Sequence, residues 1–139
     1  MADKGGDRIM ELKNRSQYLD KLISVQDMEV IKVVTGIRRC GKSSLLKLMM
    51  AHLREQGVME EQILSMNFES MQFADMDSKS LYQYVTERES KGKRLYLFLD
   101  EVQKVRDWQD AVNSFRVDLD CDIYVTGSNS RMLSSELAT

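Results

Sequence analysis

The sequence predicts an α/β domain in which a parallel sheet carries helices on both faces, and three observations predict it. Four strand-sized runs rich in β-branched and aliphatic residues recur, at Val30 to Thr35, Ile63 to Phe68, Leu95 to Leu99 and Ile123 to Thr126. Each is close to continuous in its apolar character rather than alternating, as strands covered on both faces are. The segments between them carry apolar residues at helical spacing, and repeated strand-helix alternation is the pattern of a layered α/β domain with right-handed crossovers.

The elements follow in order. Tyr18, Leu19, Leu22 and Ile23 predict a helix ahead of the first strand, inside an N-terminal extension covering 1–29, with the core domain covering 30–139. Leu45, Leu46, Met49, Met50 and Leu53 form one apolar stripe, and Gly57 can end that helix by adopting a left-handed backbone. Leu81, Tyr84 and Val85 predict a shorter helix before the third strand. Trp108, Ala111, Val112, Phe115 and Leu119 form the last stripe, and such periodicity is what a helix packed on a sheet requires.

A chain of 139 residues is the size of one ordinary domain, and 42% hydrophobic with 30% charged residues is a globular composition. The net charge of -2 offers no overall attraction to nucleic acid or to an anionic membrane, so such a partner would need a local basic patch, and the run Lys91, Lys93, Arg94 reads as a solvated turn. Two separated cysteines, Cys40 and Cys121, suit neither a metal site nor a disulfide framework, which predicts a reduced, cytoplasmic setting. Residues Met1 to Asp7 have no apolar signal core, and no stretch approaches the roughly 20 apolar residues that span a bilayer, so no membrane association is expected.

Directly after the first strand comes Gly36-Ile37-Arg38-Arg39-Cys40-Gly41-Lys42-Ser43, with Ser44 and a helical stripe behind it. This is the GxxxxGK[ST] phosphate loop in its proper strand-loop-helix setting. Glycines let backbone N–H groups turn inward around phosphate oxygens, and the helix start adds unpaired donors and partial positive charge. Lys42 supplies a full charge for the β- and γ-phosphates, and Ser43 a hydroxyl for Mg²⁺, a cation that prefers oxygen ligands. Arg38 and Arg39 either add positive potential near the phosphates or are solvated loop residues.

A second element follows where Leu95 to Leu99 runs into Asp100-Glu101. Ligands of open parallel sheets bind beyond the carboxyl ends of the strands, so this pair is expected on the same rim as the phosphate loop. Asp100 is the expected metal contact through Ser43 and water. Glu101 is the expected base that orients and deprotonates water for in-line attack on the γ-phosphorus. The fourth strand ends in Thr126-Gly127-Ser128-Asn129-Ser130. Ser128 and Asn129 suit two roles, contact with the γ-phosphate or its water, and capping of a following helix. Asn67, near the end of the second strand, is a similar case.

These motifs resemble the ATPase domain of a bacterial and archaeal family of the AAA+ class of P-loop ATPases. The likeness rests on Arg15 to Leu19 (Arg-x-x-Tyr-Leu), GIRRCGKSSLL, LYLFLDEVQKV with Trp108 after it, and VTGSNSRML, and it covers about 15–139. It implies a three-layer αβα P-loop core, ATP with Mg²⁺, Lys42 as the Walker A lysine, Asp100 and Glu101 as the Walker B pair, and a sensor near Ser128 and Asn129. It also implies that Asn67 restrains Glu101 until a partner binds. Members of that family continue into a fifth strand, an arginine-bearing segment and a C-terminal domain, so this chain reads as a truncated ATPase core. An arginine supplied in completion of such a site is worth ~10³ or more in rate, so hydrolysis is expected to be weak here. If the strand order resembles other AAA+ proteins, the first strand is left as an edge, and self-association through it is expected.

The function expected is ATP hydrolysis to ADP and phosphate, coupled to conformational change in a larger protein. Two alternatives stand beside it, a non-catalytic nucleotide-binding switch and a P-loop kinase. Glu101 beside Asp100 favours water over another acceptor, no arginine-rich lid accompanies the loop, and no Asn-Lys-x-Asp element specifies guanine.

Overall fold

The computed structural model describes residues 17–35, 39–90 and 92–127, and of Arg39 and Cys40 the backbone only. Gly36, Ile37, Arg38, Ser128 and Asn129, together with Arg15 and Lys91, lie outside the described residues, as do the side chains of Arg39 and Cys40. Four strands, β1 (Lys32–Val34), β2 (Ile63–Asn67), β3 (Leu95–Asp100) and β4 (Cys121–Thr126), form one sheet in the order β1-β4-β3-β2. All three pairings are parallel. The helices are α1 (17–24), α2 (Arg39–Glu55), α3 (Ser78–Glu87) and α4 (Trp108–Asp118).

The period-two geometry of a strand sorts the apolar residues into two cores. Leu95, Leu97 and Leu99 of β3 join Ile123 and Val125 of β4 against α3 and α4, with Trp108, Val112 and Phe115 buried among them. Tyr96, Phe98 and Tyr124 point the other way, into a core with Leu45, Leu46, Met49 and Leu53 of α2 and Leu22 of α1. The α/β layering read from the sequence is therefore what the chain adopts. Every residue of β3 is buried, which is why its run shows no alternation.

Helix α2 ends as its glycine predicts. Gly57 has φ +94°, its N–H donates to the Arg54 carbonyl, and Val58 N–H donates to that of Leu53. This is the Schellman arrangement, with Val58 packed on the same core as Leu53.

Three details differ from expectation. Strand β1 is shorter than Val30 to Thr35, because the chain bends over 28–30, where the Met28 carbonyl accepts from Lys32 Nζ at 2.8 Å. Tyr18 is exposed, so the α1 stripe is narrower than its apolar letters suggest. Arg94 is not part of a solvated turn. Its guanidinium is half-buried and binds Asp27 and Asp120, while Lys93 pairs with Glu61.

The same end of the sheet carries a buried polar network. Lys32 and Asp122 form an ion pair with both side chains almost wholly enclosed. Asp122 also accepts from Tyr124 Oη at 2.6 Å and from the Asp27 N–H at 3.0 Å. Asp27 in turn accepts from Tyr96 Oη at 2.9 Å. The network lies under the amino ends of the strands and fastens the turn that leads from α1 into β1.

Candidate active site

The strand order places β1 beside β4. The chain leaves β1 through α2 on one face, and enters β4 through α4 on the other. A crevice opens beyond the carboxyl ends of strands at such a reversal. Helix α2 begins there, Asp100 ends β3, and Thr126 ends β4.

Ser43 and Asp100 stand 57 positions apart in sequence, and Ser43 Oγ donates to Asp100 Oδ2 at 2.5 Å. The other carboxylate oxygen, Oδ1, accepts from Thr126 Oγ1 at 2.5 Å. Thr126 Oγ1 accepts in turn from the Glu101 N–H at 2.9 Å. A hydroxyl and a carboxylate so joined offer the hard oxygen donors that Mg²⁺ prefers, and the residues present fit that ion. Among the described residues, no group of three or more His, Cys, Asp or Glu could hold a metal on its own.

Lys42 is 4% exposed, and Nζ donates to the Gly127 carbonyl at 3.0 Å. It also lies 3.4 Å from Glu101 Oε2. A buried ammonium needs such partners, because an uncompensated charge out of water is costly. Glu101 itself has φ 58° and ψ 49°, a left-handed conformation that few residues other than glycine adopt. That backbone turn ends β3 abruptly and swings the carboxylate back over the rim. Such strain costs of order 1–3 kcal/mol and persists where surrounding contacts impose it.

Lys42, Ser43, Asp100 and Glu101 thus meet in one cluster, while Gly41 and Ser44 lie in the first turns of α2. Asn67 does not join them. It stands opposite Asp100 in the β2–β3 register, but its Oδ1 accepts from the Glu69 N–H at 3.0 Å, closing a local turn. A side chain that does bind Glu101, besides Lys42, is Gln103, whose Nε2 donates to Glu101 Oε1 at 2.7 Å. Gln103 has no motif signal of its own in the sequence, and Thr126 stands there only as one of the polar residues that end the fourth strand. The signal available was their place, two residues beyond Asp-Glu and at the last position of an apolar strand.

The class is that of the P-loop NTPases. The chain belongs to the AAA family, since a family model described as an AAA domain matches residues 29–139. An uncharacterised protein of Haemophilus influenzae is 42% identical over 128 residues, covering 91% of this chain and 32% of that protein. An uncharacterised protein of Methanocaldococcus jannaschii is 27% identical over 132 residues, covering 94% of this chain and 28% of its own length. The chain therefore spans about a third of the length of the curated relatives it matches. No solved structure matches it.

Proposed function

We propose that this chain binds ATP with Mg²⁺ and hydrolyses it to ADP and phosphate, coupling the cycle to conformational change in a larger protein. The observation that carries the reading is the 2.5 Å contact between Ser43 and Asp100, with Lys42 and Glu101 beside it. Lys42 neutralises phosphate charge, aided by the loop from Gly36 through Ile37, Arg38, Arg39, Cys40 and Gly41 to Ser43 and Ser44. Ser43 and Asp100 hold the metal ion, which when bound offsets charge on the phosphate oxygens. Glu101 orients water and takes its proton. Ser128 and Asn129 follow Thr126 and Gly127 in sequence and are proposed as γ-phosphate contacts.

The test is phosphate release under single turnover. Glu101→Gln should bind Mg·ATP as the parent does and lose ~10²- to 10⁴-fold in rate. An unchanged rate would remove Glu101 from the reaction.

A second reading, a nucleotide-binding switch with little turnover, is favoured by one contact, the Lys42–Glu101 pair. That pair ties the proposed base to the phosphate lysine, and a site held so depends on its surroundings to release it. Retained binding with no phosphate release from the parent chain would select this reading.

Strand β1 pairs only with β4 among the described residues, which supports self-association along its other side. Light scattering that shows only monomer at high concentration would contradict it. Among the described residues no helix is long and apolar enough to cross a membrane, and Cys121 is a free thiol. A cytoplasmic setting is the proposal consistent with both.

A further inference from the structure

We infer that Gln103 is a positioning residue that sets which oxygen of Glu101 faces the phosphates. The inference rests on the proposed role of Glu101 and goes beyond it, because it concerns a side chain outside both the phosphate loop and the Asp-Glu pair.

The two oxygens of Glu101 are differently engaged. Oε1 accepts from Gln103 Nε2 at 2.7 Å, whereas Oε2 is the oxygen turned toward Lys42 Nζ, 3.4 Å away. Lys42 is the group that phosphate recruits, so the oxygen beside it is the one placed to meet water next to the γ-phosphorus. Gln103 holds the other. A carboxylate with one oxygen tethered loses most of its freedom to rotate, and a base must be oriented before its basicity counts.

The tether is built on a rigid support. Glu101 precedes the one-turn 3-10 helix Val102–Lys104, yet its carboxylate does not cap that turn. Val102 opens the turn and Val105 follows it in extended conformation, and both are buried in the core beneath α3 and α4. They fix the turn, and Gln103 between them is directed back to Glu101. The left-handed backbone at Glu101 brings the two side chains to the same side.

Gln103 also has an unusual environment. Its Oε1 is buried and has no hydrogen-bond partner, as do only two other buried side-chain atoms among the described residues, His52 Nε2 and Trp108 Nε1. Neither of those is among the groups that bind Glu101. A buried amide oxygen left without a donor is not explained by stability, because an apolar side chain of similar shape would incur no such penalty. What the amide supplies that an apolar side chain lacks is a donor for Glu101.

The test uses the full chain with Mg·ATP. Gln103→Met keeps the shape and removes the donor. Gln103→Glu keeps the shape and replaces the donor with an acceptor. Both should bind Mg·ATP within about two-fold of the parent and hydrolyse it about ten-fold more slowly under single turnover, the split expected when orientation and not affinity is lost. Rates within two-fold of the parent in both variants overturn the inference. A contact measurement covers the case in which the parent itself shows no turnover, which would reject hydrolysis and not the tether. In the nucleotide-free chain, the side-chain amide resonances of Gln103 should move on Glu101→Ala and stay in place on Asn67→Ala. Gln103 resonances unmoved by Glu101→Ala overturn the tether whatever the activity.

Discussion

Thr126 Oγ1 donates to Asp100 Oδ1 at 2.5 Å while accepting from the Glu101 N–H at 2.9 Å, so one buried hydroxyl ties the end of β4 to both acidic residues at the end of β3. Thr126 is fully buried. Thr126→Val is isosteric and leaves a carboxylate oxygen and an amide without this partner, at ~1–3 kcal/mol for each. The urea midpoint should fall accordingly, and Mg·ATP should bind more weakly because Asp100 is no longer held toward Ser43. Thr126→Ser should recover most of both. Equal behaviour of the Val and Ser variants would show that the hydroxyl is dispensable.

The opposite end of the sheet determines stability without touching the site. Asp122→Ala removes the partner of an enclosed Lys32 ammonium and should cost ~3–5 kcal/mol in chemical denaturation. Replacing both, as Lys32→Met with Asp122→Leu, should cost less than Asp122→Ala alone, since no buried charge is then left unpaired. Additive losses would contradict the pairing.

Acid sensitivity is expected at Asp27. Burial pushes its carboxyl up, but the Tyr96 hydroxyl, the Gln26 amide and the Arg94 guanidinium together outweigh burial and hold it below its ordinary value. A lowered native value means that the folded chain favours the ionised form. That contribution is present above the ordinary carboxylate range near ~4 and is lost as pH falls through the lowered native value. Denaturation midpoints of Asp27→Asn should therefore decline less than those of the parent between about pH 5 and about pH 3. Parallel curves would remove Asp27 from the acid response.

Cys121 should be sluggish toward alkylating reagents at neutral pH. Burial pushes its thiol up to about 11, with Arg94 opposing and Asp122 and Asp120 adding to the shift. The thiolate is the reacting species, so in a Cys40→Ser chain, where Cys121 is the remaining thiol, labelling of the folded protein should be slow near neutrality and accelerate on unfolding in urea. Rapid labelling of Cys121 in the native chain would contradict the raised thiol value.

The parts of this fold that were legible in the sequence are those whose signal is local. Leu95 to Leu99 read as a strand covered on both faces because its neighbours in sequence are all apolar, and Gly57 read as a helix end because a left-handed residue is needed there. That Lys42, Ser43, Asp100 and Glu101 meet on one rim was legible because the loop and the Asp-Glu pair each follow a strand, and ligand rims of parallel sheets lie beyond the carboxyl ends of strands. The Lys32–Asp122 pair was not, since it joins residues 90 positions apart and depends on β1 lying beside β4. Arg94 looked like one of a basic run because its acceptors, Asp27 and Asp120, come from different turns. Asn67 and Gln103 show the same limit at the site. Both are polar residues near a strand end, and only the turn after Glu101 determines which of them reaches its carboxylate.

Titration calorimetry of the chain with ATP in Mg²⁺, run beside Lys42→Ala, measures nucleotide binding itself. One site is expected in the parent, weakened when Mg²⁺ is chelated and lost in Lys42→Ala, whose fold should be retained. Binding by Lys42→Ala as tight as that of the parent, or no binding by a folded parent, would contradict that expectation.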